Sequence, residues 1–200
     1  PCFVLDLTAT PKKESNIISY VDAVQLKNEH MVKLPVIVYN RDSQSEVLID
    51  AIDLRNKLEE IASVEYAKTG KYIRPIALFQ AQPKGKEDAT TFEKLRDKLV
   101  DAGIPAEQIA IRTADVNELK NVELMSLSCP IRYIITVNAL KEGWDCPFAY
   151  ILASLANKTS QVDVEQILGR ILRLPHTSQH TQSALNMSYV LTSSNDFNNT

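Results

Sequence analysis

Glycine is scarce in this sequence: it accounts for five of the 200 residues, where about 7% is usual. The chain also lacks the phosphate loop G-x-x-x-x-G-K-[ST]. Its two Gly-Lys dipeptides continue into Tyr72 and Glu87, and neither has a glycine at the required upstream position. The Asp-Glu dipeptide of acidic magnesium motifs is missing as well. We therefore expect that this chain alone does not hydrolyse a nucleotide.

An excess of basic charge and long apolar runs are missing too. Lys and Arg total 22 against 25 Asp and Glu, for a net charge of -3, so any contact with nucleic acid must come from a local face. No apolar run approaches the roughly 18 residues of a membrane span, and no secretory leader is visible. We expect no membrane partner, and we expect the chain to be a segment of a longer protein.

Cysteine is rare and widely spaced. Cys2, Cys129 and Cys146 are odd in number, which favours neither a disulfide framework nor a zinc knuckle. A reducing, cytoplasmic compartment is the expectation. His176 and His180 have ligand-like spacing but no Cys or acidic residue close by in sequence, so no metal site is predicted.

What the sequence does contain is an alternation of short β-branched runs with longer stretches of helical period. This pattern is typical of an α/β fold, with a parallel open sheet and helices on both faces. The predicted strands are Phe3–Leu7, Leu34–Tyr39, Ile76–Gln80, Ile109–Arg112, Tyr133–Val137, Tyr150–Ser154 and Ser188–Thr192.

Capping signals locate three helices between these strands. Ser43 with Glu46 begins one that ends near Gly70, and Thr90 with Glu93 begins one that Gly103 stops. A third begins at Ser160 with Asp163 and ends before Pro175. The polar stretch 177–183 is expected to be a mobile loop. One domain is expected over residues 13–192, with a polar tail at 193–200.

The third helix carries a group of phosphate-binding side chains. Gln166, Arg170 and Arg173 stand at i, i+4 and i+7, which places them on one helical face. Two guanidinium groups and an amide suit phosphate oxygens, although a solvated face with surface salt bridges is an open alternative. Gly169 favours the functional interpretation. A glycine inside a helix costs about 1 kcal/mol, and close approach of another backbone would explain it.

A second group follows the strand Tyr133–Val137. Its position predicts that it lies beyond a carboxyl strand end, where open α/β sheets bind ligands. Gly143 permits a close backbone approach, and Asp145 can accept a hydrogen bond from a ribose hydroxyl. The alternative is an ordinary turn with a buried Trp144.

A third, weaker group is Thr8-Ala9-Thr10-Pro11, just past the first predicted strand. In order and spacing, the three groups resemble the later motifs of superfamily-two helicases and translocases. Thr8 to Pro11 resembles the motif that closes the first RecA-like domain, so residues 1–12 are expected to end that domain. Gln166 to Arg173 resembles the arginine-finger motif, with Gln in place of the His of the DEAD-box branch. Lys141-Glu-Gly-Trp-Asp-Cys-Pro147 together with that motif is most similar to the Res subunit of type III restriction enzymes.

The resemblance implies a RecA-like fold without its own phosphate loop, and ATP bound between two such domains. The first domain, outside this sequence, would supply the phosphate loop and most of the Mg²⁺ ligands. Arg170 and Arg173 would reach the γ-phosphate, and Gln166 would also face the nucleotide. Gly143 and Asp145 would face it too, with Asp145 near the ribose.

The remaining implied roles concern coupling and DNA. Thr8 and Thr10 would couple hydrolysis to domain closure. Four residues would lie toward the nucleic-acid backbone: Thr136, Asn138, Phe79 and Gln80. The implied partners are double-stranded DNA, the preceding RecA-like domain and a methyltransferase subunit. Two alternatives stay open: a repair or plasmid helicase without a nuclease, and a non-catalytic RecA-like module that binds a partner.

Overall fold

Six short strands form one parallel sheet in the computed structural model, which describes residues 16–82, 90–137, 145–155, 169 and 171–193. Their order across the sheet is β1-β6-β5-β2-β4-β3, and every pairing is parallel. The bounds are β1 Val36–Asn40, β2 Ile76–Gln80, β3 Ile109–Arg112, β4 Tyr133–Thr136, β5 Ala149–Ser154 and β6 Ser188–Thr192.

The expected α/β class with an open parallel sheet is confirmed, and the predicted strands agree closely with the observed ones. β2, β3 and β6 have the predicted bounds. The predicted strand Phe3–Leu7 lies outside the described residues. Every residue of β2, β4, β5 and β6 is buried. Since successive side chains of a strand point to opposite faces, both faces of these strands are covered.

The long helix α2, Gln44–Thr69, begins and ends where its capping residues predict. The Ser43 hydroxyl accepts a hydrogen bond from the Glu46 amide at 3.2 Å. At the other end Gly70 adopts a left-handed conformation, with φ 71°, which glycine reaches without the usual steric penalty. Val47, Ala51 and Leu58 of this helix are buried in the core.

Helix α3, Phe92–Asp101, begins one residue later than its capping signal predicts. Thr91, rather than Thr90, caps it by accepting from the Lys94 amide. The Thr90 hydroxyl instead donates to Gln44 Oε1 at 2.8 Å, because Thr90 is buried against α2 rather than free to cap. A short helix, α1, spans Ala23–Asn28. None of the helices among the described residues has the length and apolarity that a bilayer crossing requires.

Candidate functional site

The structure divides the predicted site residues between opposite edges of the sheet. Gln80 and Thr136 are the last residues of β2 and β4 and lie at the carboxyl edge. Asp145 lies four residues before β5 begins at Ala149, on the amino side of that strand. The expectation that Asp145 lies beyond a carboxyl strand end is therefore wrong. The chain must return to the amino edge before it can begin a parallel strand.

Asp145 and Arg173 form an ion pair at the amino edge. Arg173 Nη1 donates to Asp145 Oδ2 at 2.7 Å, across 28 residues of sequence. The Arg173 side chain is 63% exposed and that of Asp145 is 40% exposed. The pair thus offers solvent a guanidinium with unused donors beside a carboxylate.

Arg173 does not belong to a helical face, contrary to the i, i+4, i+7 expectation. Gly169 and Ile171 are helical, but Leu172 is not, and Arg173 forms an antiparallel bridge with Val32. Leu174 is extended, with φ -79° and ψ 127°, as a residue before proline usually is. Pro175 and the bridge together end the helix before Arg173.

Gly169 is helical and exposed. A Cβ added there meets no described atom within 4 Å. The expected close approach of another backbone is therefore not found within the described part of this chain. Only a group outside that part could require glycine at this position.

Lys33 is a functional candidate that the sequence analysis missed. Its side chain is fully buried, and its Nζ donates to the carbonyl oxygens of Pro147 and Ala149, each at 2.8 Å. Nζ also lies 4.1 Å from the centroid of the Tyr150 ring. Burial lowers the pKa of Lys33 to about 7, although Cys146 and Asp145 act in the opposite direction. The signal in the sequence was a single charge inside the apolar run 31–38.

The carboxyl edge is polar from one side of the sheet to the other. All six strands end in a polar residue, and the strand registers place these residues side by side in the order Asn40, Thr192, Ser154, Gln80, Thr136, Arg112. Gln80 and Thr136 are only 5% and 1% exposed. The Ser154 hydroxyl donates to Gln80 Oε1 at 3.0 Å, so this row is largely an internal network.

Phe79 is a core residue rather than a surface contact. It is fully buried in β2, and its ring centroid lies 6.3 Å from that of Tyr133. This burial removes Phe79 from the predicted contacts with nucleic acid, because a phosphate cannot reach a ring that is packed in the hydrophobic core.

A pocket of about 410 Å³ also lies at the carboxyl edge, beside the end of β1. Its lining residues are Asn40, Arg41, Asp42, Glu46 and Asp50, and Arg41 is already paired with Asp50. Since Asp50 neutralises Arg41, the two remaining carboxylates, Asp42 and Glu46, disfavour a phosphate. The pocket is therefore not the predicted nucleotide site.

The 177–183 loop, expected to be mobile, is tied to α2 by Glu65. This carboxylate accepts hydrogen bonds from the Thr181 amide and hydroxyl and from the Gln182 amide. Burial raises the pKa of Glu65, but these hydrogen bonds outweigh it and leave the pKa below its usual value. His180 lies 3.6 Å from Glu65. Burial lowers the pKa of His180, although Glu65 acts in the opposite direction.

The described residues contain no group of three or more His, Cys, Asp or Glu side chains arranged to hold a metal. His176 and His180 have ring centroids 6.3 Å apart, and His176 Nε2 is hydrogen-bonded to the Tyr72 carbonyl.

The remaining predicted site residues lie outside the described part of the chain: Thr8, Thr10, Asn138, Gly143, Gln166 and Arg170.

Comparison with known proteins adds no identification. No protein-family model matches the chain, and no curated protein sequence matches it.

Proposed function

We propose that this chain is the second RecA-like domain of a superfamily-two DNA helicase or translocase, of the kind found in type III restriction enzymes. In the full-length protein it would complete an ATP site on a preceding RecA-like domain. The type III assignment, the methyltransferase partner and the cytoplasmic location are part of the same proposal and rest on the sequence resemblance.

One observation carries the proposal. Asp145 and Arg173 come from two separate motifs that the family resemblance assigns to the nucleotide, and they meet at 2.7 Å on an exposed edge. The open parallel sheet is the scaffold that such a domain requires. Exposed ion pairs contribute about 0–1 kcal/mol to stability, so the stability of the fold gives little reason to place this pair here.

The side-chain chemistry fits a nucleotide. A guanidinium presents a planar set of donors to phosphate oxygens, and a carboxylate accepts from ribose hydroxyls. Within one ATP the triphosphate chain separates the ribose from the γ-phosphate. The two side chains must therefore part for Asp145 to bind the ribose while Arg173 binds the γ-phosphate. In this mechanism Asp145 screens the charge of Arg173 until the phosphate replaces it.

Mg²⁺ would bind mainly on the preceding domain, which would also hold the phosphate loop. ATP supplies the phosphoryl group, and Arg173, with Arg170, stabilises the charge that develops on its γ-phosphate oxygens. Such arginines contribute factors of about 10³–10⁵ to phosphoryl transfer. Gln80 and Thr136 are buried at the carboxyl edge, so they hold the strand ends and do not themselves reach DNA. Contact with the DNA backbone is assigned to Asn138, which follows β4 in the sequence. Contacts to backbone phosphates suit a motor that moves irrespective of sequence.

DNA-stimulated ATPase activity of the full-length protein tests the proposal. Arg173→Ala is expected to lower kcat at least about 100-fold with an unchanged circular dichroism spectrum. Asp145→Asn is expected chiefly to raise KM for ATP, because it removes a ground-state contact.

The matched control is Arg96→Ala. Arg96 forms a comparable ion pair with Glu118, at 3.1 Å and with 35% and 37% exposure, away from the amino-edge pair. We expect its ATPase rate to stay within about twofold of wild type. Undiminished turnover in Arg173→Ala, or an equal loss in Arg96→Ala, would overturn the proposed role.

A further inference from the structure

The segment 31–33 touches both parts of the chain that carry the ion pair. On one side, the Lys33 amide donates to the Leu172 carbonyl at 2.5 Å, and the Leu174 amide donates to the Met31 carbonyl at 3.0 Å. These two hydrogen bonds flank Arg173 and fix its backbone. Together with Pro175, they keep residues 172–174 out of the helix.

The Lys33 side chain binds the segment that carries Asp145. Its Nζ donates to the Pro147 and Ala149 carbonyls at 2.8 Å, and the Ala149 amide donates to the Cys146 carbonyl at 3.0 Å. Asp145 is the residue immediately before this turn. A single residue thus binds the backbone on both sides of the ion pair, through its amide to one segment and through its amine to the other.

The burial of the Lys33 amine costs stability, so its presence here needs a functional explanation. Burying an amine away from water is unfavourable even with hydrogen-bond partners. An apolar side chain of similar length would fill the same space beside Tyr150 without that cost, but it could not bind the two carbonyl groups. The distinctive contribution of lysine is therefore the link to residues 147–149.

We propose that Lys33 is a positioning residue. By hydrogen-bonding to both segments at the amino edge, it sets the separation of Asp145 and Arg173. The link that Lys33 makes between the two segments follows from these contacts alone. Its consequence for ATP turnover rests on the proposed function.

Amide hydrogen exchange in the full-length protein tests the structural part. In Lys33→Met, which keeps the length but removes the donors, exchange at Ala149 and Leu174 is expected to accelerate at least about tenfold relative to Ile134 in β4. Arg55→Met is the matched control, since it removes another buried cation that stacks over Tyr133. It should leave the ratio of Ala149 to Ile134 exchange within about twofold of wild type. If Lys33→Met does not fold, Lys33→Gln, which keeps one amide donor, takes its place with a smaller acceleration in the same direction.

ATPase measurements separate positioning from general stabilisation. Lys33→Met is expected to lower kcat/KM about tenfold in the wild-type background, and by less than about twofold when Arg173 is already alanine. Equal losses in both backgrounds would overturn the positioning role, as would unchanged exchange at Ala149 and Leu174. Accelerated exchange together with full turnover in Arg173→Ala would support the structural link but overturn the proposed function.

Discussion

The two edges of the sheet use polar residues in opposite ways. At the carboxyl edge, Gln80 and Ser154 are buried and hydrogen-bonded to each other. At the amino edge, Asp145 and Arg173 are exposed, and Lys33, one of the buried polar residues at this edge, is hydrogen-bonded to the segment that follows Asp145. A polar group that is both buried and paired serves the fold. An exposed ion pair whose segments are held by a buried residue is available to bind a ligand outside the chain.

The largest effect that we expect to distinguish the two edges is a pH dependence of the free energy of unfolding, caused by Lys33. The pKa of this residue is about 7 in the folded protein, against 10.5 as its ordinary value. Between these values the unfolded chain binds the extra proton, so stability rises with pH by up to about 1.4 kcal/mol per unit. Below pH 7 both states are protonated and this dependence vanishes.

Urea unfolding of wild type and Lys33→Met at pH 7 and pH 9 measures this effect. The free energy of unfolding of wild type relative to the variant is expected to rise by roughly 2–3 kcal/mol across that interval. A constant difference would mean that Lys33 is not the buried amine described here. Ser154→Ala, compared over the same interval, should show no such change relative to wild type.

A smaller effect is expected from Ser154→Ala at the carboxyl edge. The variant removes the hydroxyl that donates to Gln80 and should lower the free energy of unfolding by about 1 kcal/mol. ATPase turnover should stay near the wild-type value, since Ser154 belongs to the internal network. A large loss of turnover at unchanged stability would contradict the division between the edges.

The smallest effect, and one of opposite sign, concerns Gly169. Gly169→Ala should raise the free energy of unfolding by about 0.5–1 kcal/mol, since the added Cβ meets no described atom. If a partner domain packs against Gly169, the same variant lowers ATPase turnover. A variant that is more stable and fully active would show that this glycine serves no contact.

The sequence predicts the sheet well because its strands are apolar runs bounded by turn residues. Ile76–Gln80 and Ser188–Thr192 are short and buried along their whole length, so local composition alone identifies them. The same reasoning places both ends of α2, where Ser43 and Gly70 make purely local contacts.

The site is harder to predict because its geometry depends on contacts that are distant in sequence. Arg173 leaves the predicted helix through its bridge to Val32, which no local pattern reveals. Glu65 lies on a helix where a solvent-facing role would be the ordinary expectation, yet it is buried by a loop 116 residues away. The pairing of Lys33 with Pro147 likewise spans 114 residues.

The most direct measurement is a crystal structure of the full-length protein with a non-hydrolysable ATP analogue and Mg²⁺. We expect Arg173 within about 3 Å of a γ-phosphate oxygen, Asp145 beside the ribose, and the ion pair between them opened. A nucleotide bound elsewhere, with Arg173 and Asp145 still 2.7 Å apart, would contradict the assignment of the amino edge as the nucleotide site.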